Sequence, residues 1–99
     1  MNKKNVRELI EYPSEGIISK SIFKSNYLDI TLFCMAEGTD ISEHTSSKQG
    51  VVYILEGEGI FNLEGDQIKM DEGVIIIMNK DAKHSITAKK NTSFLLILS

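Results

Sequence analysis

Apolar residues after position 16 fall into short runs, and polar or glycine-containing turns separate them at intervals of about 8–12 residues. The runs are IISKSIFK (17–24), YLDITLFCM (27–35), VVYILE (51–56), IFNLE (60–64), QIKM (67–70), VIIIM (74–78), HSITA (84–88) and FLLIL (94–98). Short strands at this spacing are typical of a sandwich or a barrel. The pattern therefore predicts an all-β fold.

The start of the chain has a different period. In residues 5–12, Val6, Leu9 and Ile10 recur at helical spacing, and Pro13 to Gly16 then interrupt the chain. We therefore predict an N-terminal segment, residues 1–27, made of a short helix or turn plus a strand. It is expected to pack on a barrel domain formed by residues 28–99.

Several predicted strands are apolar at consecutive positions, so both of their faces are apolar. The clearest are VVYIL, VIIIM and FLLIL. The outer face of an antiparallel sheet is normally polar, so we expect something to cover part of this one. A homodimer is the leading expectation, and coverage by the N-terminal segment is the alternative.

Composition and charge narrow the classes of function. Apolar residues make up 41% of the chain and charged residues 25%, as in soluble globular proteins. The net charge of −3, with no cluster of Lys and Arg, argues against nucleic-acid binding. No apolar run approaches the ~20 residues of a membrane helix. Cys34 is the single cysteine, which fits a cytoplasmic location.

The two histidines lie in stretches punctuated by glycine. Five residues separate Gly38 from His44, and Gly57 closes the following apolar run. Gly73 similarly precedes His84. Between the two stretches stands the strand–turn–strand block VVYILEGEGIFNLEGD.

Over about residues 28–98 this arrangement resembles the two motifs of small single-domain cupins. The resemblance implies a cupin-type jelly-roll β-barrel, also called a double-stranded β-helix, with a short N-terminal extension. It also implies a metal-binding motif, because four residues of the two motifs hold one divalent metal inside the barrel in that family.

The metal motif is degenerate here. His44 and His84 occupy two of the ligand positions, but Ser46 stands in place of the second histidine and Gly50 in place of the glutamate. A serine hydroxyl is a poor ligand and glycine has no side chain. The neighbouring Gln49 should face the other way, because side chains alternate along a strand.

Departures outside the ligand positions are milder. In the second motif Asn79 replaces a proline, Asp81 a glycine and Ala88 an asparagine. The resemblance therefore implies the fold strongly and a particular activity weakly, since one fold hosts many functions.

We interpret the chain as a cupin that binds a small molecule in the barrel, with a weak or optional site for one divalent metal (Zn, Ni, Mn or Fe) at His44 and His84. The alternative is a metal-dependent enzyme of oxygenase or isomerase type, with water completing the coordination. A third class is a dimeric scaffold without ligand chemistry. Predicted pocket residues are Ser46, Gln49, Met35, Met78 and Phe94.

Two further chemistries belong among the alternatives. His84 has a pKa of ~6.5 when unperturbed and suits general-base catalysis without metal, if an acid such as Glu43 or Asp81 orients it. Cys34 could act as a nucleophile, although a free cysteine in an apolar run is usually a small core residue.

Overall fold

The computed structural model describes residues 3–99, and in these residues nine β-strands follow one short 3₁₀-helix. The helix spans Val6–Leu9. The strands are β1 (Ile17–Lys24), β2 (Asp29–Met35), β3 (Asp40–His44), β4 (Gly50–Glu56), β5 (Gly59–Leu63), β6 (Asp66–Met70), β7 (Ile75–Met78), β8 (His84–Ala88) and β9 (Thr92–Leu98). The predicted all-β fold is confirmed. Within this described part, no helix is long and apolar enough to cross a membrane.

The strands form two antiparallel sheets. Sheet A has the order β1-β2-β9-β4-β7, and sheet B has the order β3-β8-β5-β6. The pairing is nested: β5 pairs with β6, β4 with β7, β3 with β8 and β2 with β9. This is the pairing of a long hairpin rolled into two facing sheets, which is the jelly-roll arrangement.

The hydrophobic pattern predicted eight of these strands, with ends within two residues of those observed. The pattern missed β3, because Ile41 is its single apolar residue and its other four side chains are polar and exposed. A polar strand is well suited to its place at the edge of sheet B, where an apolar strand would invite pairing with other chains.

Residues from both sheets fill the space between them. The core residues of this cluster are Met35, Val52, Ile54, Phe61, Met70, Ile76, Met78, Ile86, Ala88 and Phe94. On β4 and β9 the inward residues alternate with outward ones, as the two-residue period of a strand requires. The inner faces of the two sheets therefore share one core.

The part of the N-terminal segment that precedes β1 covers much of the outer face of sheet A. Its apolar residues, Val6, Leu9, Ile10 and Tyr12, pack against a second cluster built on Leu32, Cys34 and Leu55. Polar contacts fix the segment in place. The Tyr12 hydroxyl donates to Glu56 Oε2 at 2.7 Å, and Lys20 Nζ donates to the Leu9 carbonyl at 2.8 Å. Residues 1 and 2 of the predicted segment lie outside the described residues.

This packing accounts for most of the strands that are apolar on both faces. It also places Cys34 in a fully buried site, where the thiol is a small core group. The strand β1 belongs to the predicted 1–27 segment, and it pairs with β2 along the length of that strand, from Ile17 opposite Met35 to Lys24 opposite Asp29.

The N-terminal segment leaves the edge strand β7 uncovered. Ile75 and Ile77 point outward with 59% and 71% of their surfaces exposed, whereas the alternate residues Ile76 and Met78 are buried. β7 pairs with β4 alone in the described chain, so its other edge is open. An apolar strand at an open edge is a favourable place for a second chain to associate.

The glycine of the first motif that closes β4 has a steric role. Gly57 has φ +114°, and a Cβ atom there would lie 2.5 Å from both the Asn91 carbonyl oxygen and Thr92 Cα. Gly65, in the β5–β6 turn, has a similar φ of +88° but open space around it. A side chain at Gly57 would therefore suffer both backbone strain and a steric clash, whereas one at Gly65 would suffer backbone strain alone.

We expect Gly57→Ala to lower the free energy of unfolding by about 3 kcal/mol, the sum of left-handed strain and overpacking. The matched variant Gly65→Ala should lose about 1 kcal/mol, from strain alone. Urea unfolding followed by circular dichroism measures both. Equal losses in the two variants would contradict the proposed clash at Gly57.

Candidate functional site

The two histidines meet across sheet B. β3 pairs with β8, and His44 lies directly opposite His84 in that pairing, after an irregularity that follows Ile41. The centroids of the two imidazole rings are 4.1 Å apart, and the ring planes are inclined by 60°. The structure thus brings together two residues that are 40 positions apart in the sequence.

Each imidazole makes the same local hydrogen bond. His44 Nδ1 lies 2.9 Å from the Ser42 carbonyl oxygen, and His84 Nδ1 lies 3.1 Å from the Ala82 carbonyl oxygen. A carbonyl oxygen only accepts, so Nδ1 carries the proton in both rings. In the neutral rings Nε2 is then an unprotonated acceptor, and neither Nε2 has a hydrogen-bond partner among residues 3–99.

The histidines form the polar end of a cavity between the two sheets. The cavity has a volume of about 150 Å³. Its walls are Phe33, Ile41, Val52, Phe61, Met78, Ile86, Phe94 and Leu96. His84 is only 7% exposed and lies inside, whereas His44 is exposed and marks the opening.

Aromatic rings form part of the wall. Phe33 and Phe94 stack with their centroids 5.3 Å apart, and Phe61 lies parallel to His84 at 5.8 Å. The contact with Phe61 and the hydrogen bond through Nδ1 both restrict the rotation of the His84 ring. The inner imidazole is therefore held in one orientation before any ligand binds.

Burial lowers the pKa of His84 below its usual value of 6.5. The hydrogen bond to the Ala82 carbonyl opposes this change, and the neighbouring His44 adds to it because two protonated rings would repel each other. His84 is consequently a neutral ring at and above neutral pH. It can accept a hydrogen bond or bind a cation through Nε2.

The structure distributes the predicted site residues unevenly. Met78 and Phe94 line the cavity together with the two histidines. Met35 is fully buried in the same core but lies outside the cavity lining.

Ser46 and Gln49 also lie outside the lining, because both precede β4 in the connection from β3. The Ser46 carbonyl accepts a hydrogen bond from the Asp81 amide at 2.7 Å, which ties this connection to the loop before β8. Gln49 is exposed and borders a separate shallow groove next to Ile77 and Ser99.

Most of the apolar wall was not predicted as a pocket. The missed residues are Phe33, Ile41, Val52, Phe61, Ile86 and Leu96. Residues two positions apart in a strand lie on the same face, so the predicted Phe94 indicates Leu96 and the predicted Met35 indicates Phe33. Strand alternation could therefore have identified part of the cavity wall. The pattern does not distinguish a cavity wall from a filled core.

The residues present do not fit a metal centre of the ordinary kind. Zinc sites use three or four protein ligands, and residues 3–99 contain no group of three or more His, Cys, Asp and Glu side chains that could hold a metal ion. A Cβ atom on Gly50 would lie 3.2 Å from Met78 Cε and 2.9 Å from Leu98 Cδ2. Apolar side chains thus occupy the space that the side chain of a glutamate at position 50 would need.

The structure also bears on general-base catalysis. Glu43 and Asp81 are exposed and do not line the cavity, and a carbonyl rather than a carboxylate holds each imidazole. Asp81 has φ +65°, so it keeps the left-handed backbone for which the family uses glycine. Its role seen here is therefore to shape the loop before His84.

Comparison with known proteins agrees with this geometry. The Cupin domain family model matches residues 31–98, which is most of the chain. The protein belongs to the cupin family, and the resemblance seen in its sequence is confirmed. No curated protein matches the chain.

Solved structures share the fold at low sequence identity. A protein from Thermus thermophilus is 20% identical, with a TM-score of 0.91 over 100% of this chain and 97% of that one. A cupin superfamily protein from Desulfitobacterium hafniense is 22% identical, with a TM-score of 0.90 over 99% and 91%. Salicylate 1,2-dioxygenase from Pseudoaminobacter salicylatoxidans is 14% identical, with a TM-score of 0.79 over 84% of this chain and 26% of that one. These likenesses establish the cupin barrel.

Proposed function

We propose that this protein binds a small, mainly apolar molecule in the cavity between its sheets, with His44 and His84 at the polar end. The observation that carries the proposal is an apolar cavity lined by two imidazoles, each held through Nδ1 by a backbone carbonyl group. Apolar walls with a few convergent polar groups are typical of small-molecule sites. The walls supply affinity through burial, and the imidazoles orient the ligand.

A weakly held divalent metal is the second candidate occupant. The specific observation in its favour is that both Nε2 lone pairs are available while both Nδ1 atoms are held by carbonyl groups, an arrangement that orients metal-binding histidines. Two nitrogen ligands and water would hold Zn, Ni, Mn or Fe less firmly than three or four ligands. A metal-dependent oxygenase or isomerase would require such a metal at full occupancy.

A second copy of the chain is the partner that we propose for β7. Ile75 and Ile77 form an exposed apolar surface, and the strand itself, Ile75–Met78, contains no charged residue. Its open antiparallel edge can pair with the same edge of another copy about a two-fold axis. The fully buried thiol of Cys34 fits a reducing compartment, and we propose the cytoplasm.

Ligand binding can be tested with a cavity-filling variant. We expect a thermal-shift screen of small acids, sugars and aromatics to yield a compound that, at tenfold its Kd, raises Tm by roughly 7 °C. Leu96→Phe should abolish that shift because Leu96 faces the cavity. The matched variant Leu95→Phe, which changes the opposite face of the same strand, should retain it. A shift that survives in Leu96→Phe would show that the compound binds elsewhere.

Metal occupancy separates the binding protein from the metal-dependent enzyme. Elemental analysis of protein purified without added metal should find far less than one metal per chain, and titration with Ni²⁺ should show weak binding that His44→Ala or His84→Ala removes. Gln49→Ala serves as the control outside the cavity. One tightly held metal per wild-type chain, lost in both histidine variants, would favour the enzyme instead.

The dimer is tested by size-exclusion chromatography with light scattering. We expect twice the chain mass of 11.1 kDa at micromolar concentration. The double variant Ile75→Lys, Ile77→Lys should be monomeric, because lysines on an edge strand oppose pairing. Tyr27→Lys, at a residue that is 85% exposed in the β1–β2 turn, should remain dimeric. A monomeric wild type would refute the proposal.

A further inference from the structure

The polar end of the cavity offers hydrogen-bond acceptors and no donor. Both Nδ1–H groups are already bonded to carbonyl oxygens, so each neutral imidazole has only its Nε2 lone pair left for a ligand. The eight other lining residues are apolar, with the Met78 thioether as the one additional weak acceptor. A ligand that fits this end therefore has to donate.

The volume and shape of the cavity limit the size of the ligand. In another protein, an apolar cavity of roughly 150 Å³ holds one benzene molecule, and this cavity has about the same volume. Phe33, Phe61 and Phe94 supply ring faces and edges at the wall. One six-membered ring with a small substituent matches this space, whereas a second fused ring exceeds it.

The charge of the ligand follows from the same lining. None of the cavity residues is an acid, a lysine or an arginine, so the lining offers a charged ligand no permanent counter-charge. A carboxylate would face two lone pairs and lose its hydration. An ammonium group could donate to Nε2, but no carboxylate in the lining would balance its buried charge. The cavity thus disfavours both kinds of ion.

We infer that the ligand is a neutral single-ring compound that carries a hydrogen-bond donor on the ring, as a phenol or an aromatic amine does. The inference rests on the proposed binding function and specifies the ligand class for it. The ring occupies the space between the phenylalanines. A hydroxyl on the ring donates to one Nε2 atom, whereas an amine has two N–H groups and can donate to both, and the exposed side of His44 is where the ligand enters.

The experiment compares three ligands of similar size by calorimetry at pH 8: phenol, toluene and benzoate. Toluene replaces the hydroxyl with a methyl group, and benzoate replaces it with a charged acceptor. We expect phenol to bind at least about fivefold more tightly than toluene, the ratio that one hydrogen bond of ~1 kcal/mol supplies. Benzoate should bind most weakly.

The double variant His44→Leu, His84→Leu should remove the preference for phenol over toluene, while Gln49→Leu, a similar polar-to-apolar change outside the cavity, should keep it. Imidazole ¹⁵N chemical shifts of the wild type provide a second measurement. Phenol should move the Nε2 resonance of the histidine that accepts its hydroxyl proton, and toluene should leave both resonances nearly unchanged. This second measurement does not depend on the folding of any variant.

The outcomes distinguish this inference from the proposed function. Toluene that binds as tightly as phenol, or benzoate that binds most tightly, overturns the ligand class while the cavity remains a binding site. Failure of all three ligands to bind also overturns the ligand class. The broad ligand screen with Leu96→Phe then decides the proposed function on its own.

Discussion

Sheet A is apolar on both faces, and the need to bury both faces organises the rest of the molecule. Its inner face meets sheet B and forms the main core, in which the cavity lies. Its outer face carries Leu32, Cys34 and Leu55, which the N-terminal segment covers. The segment does not reach β7, and there Ile75 and Ile77 remain exposed. The core, the packing of the segment and the proposed dimer surface are thus consequences of one constraint.

The sequence predicted the fold well because two independent signals agreed. The alternation of apolar runs and turns located eight strands, and the spacing of glycines and histidines resembled the cupin motifs. Gly57 shows why the spacing is informative, since no other residue fits the close approach to Asn91 and Thr92. The missed strand, β3, is polar and solvated, so its pairing with β8 depends on tertiary contacts that no local pattern records.

The candidate site was less predictable for a related reason. The motif identified His44 and His84, which line the cavity, whereas the predicted pocket residue Gln49 lies in the connection before β4 and outside the cavity lining. Which inward residues border empty space, and which are packed solid, depends on side-chain volumes summed over both sheets. Met35 and Phe33 share one face of β2, yet Phe33 borders the cavity and Met35 does not.

The two departures from the family's metal motif are physically connected. Gly50 is the residue that lacks the ligand, and Met78 lies opposite it in the β4–β7 pairing with its methyl group at the place that a side chain of residue 50 would enter. A side chain introduced at position 50 would therefore meet apolar groups with its first carbon atom, Leu98 Cδ2 at 2.9 Å and Met78 Cε at 3.2 Å. Restoring that ligand requires both of these side chains to move, so the apolar packing around Gly50 and the missing carboxylate are connected.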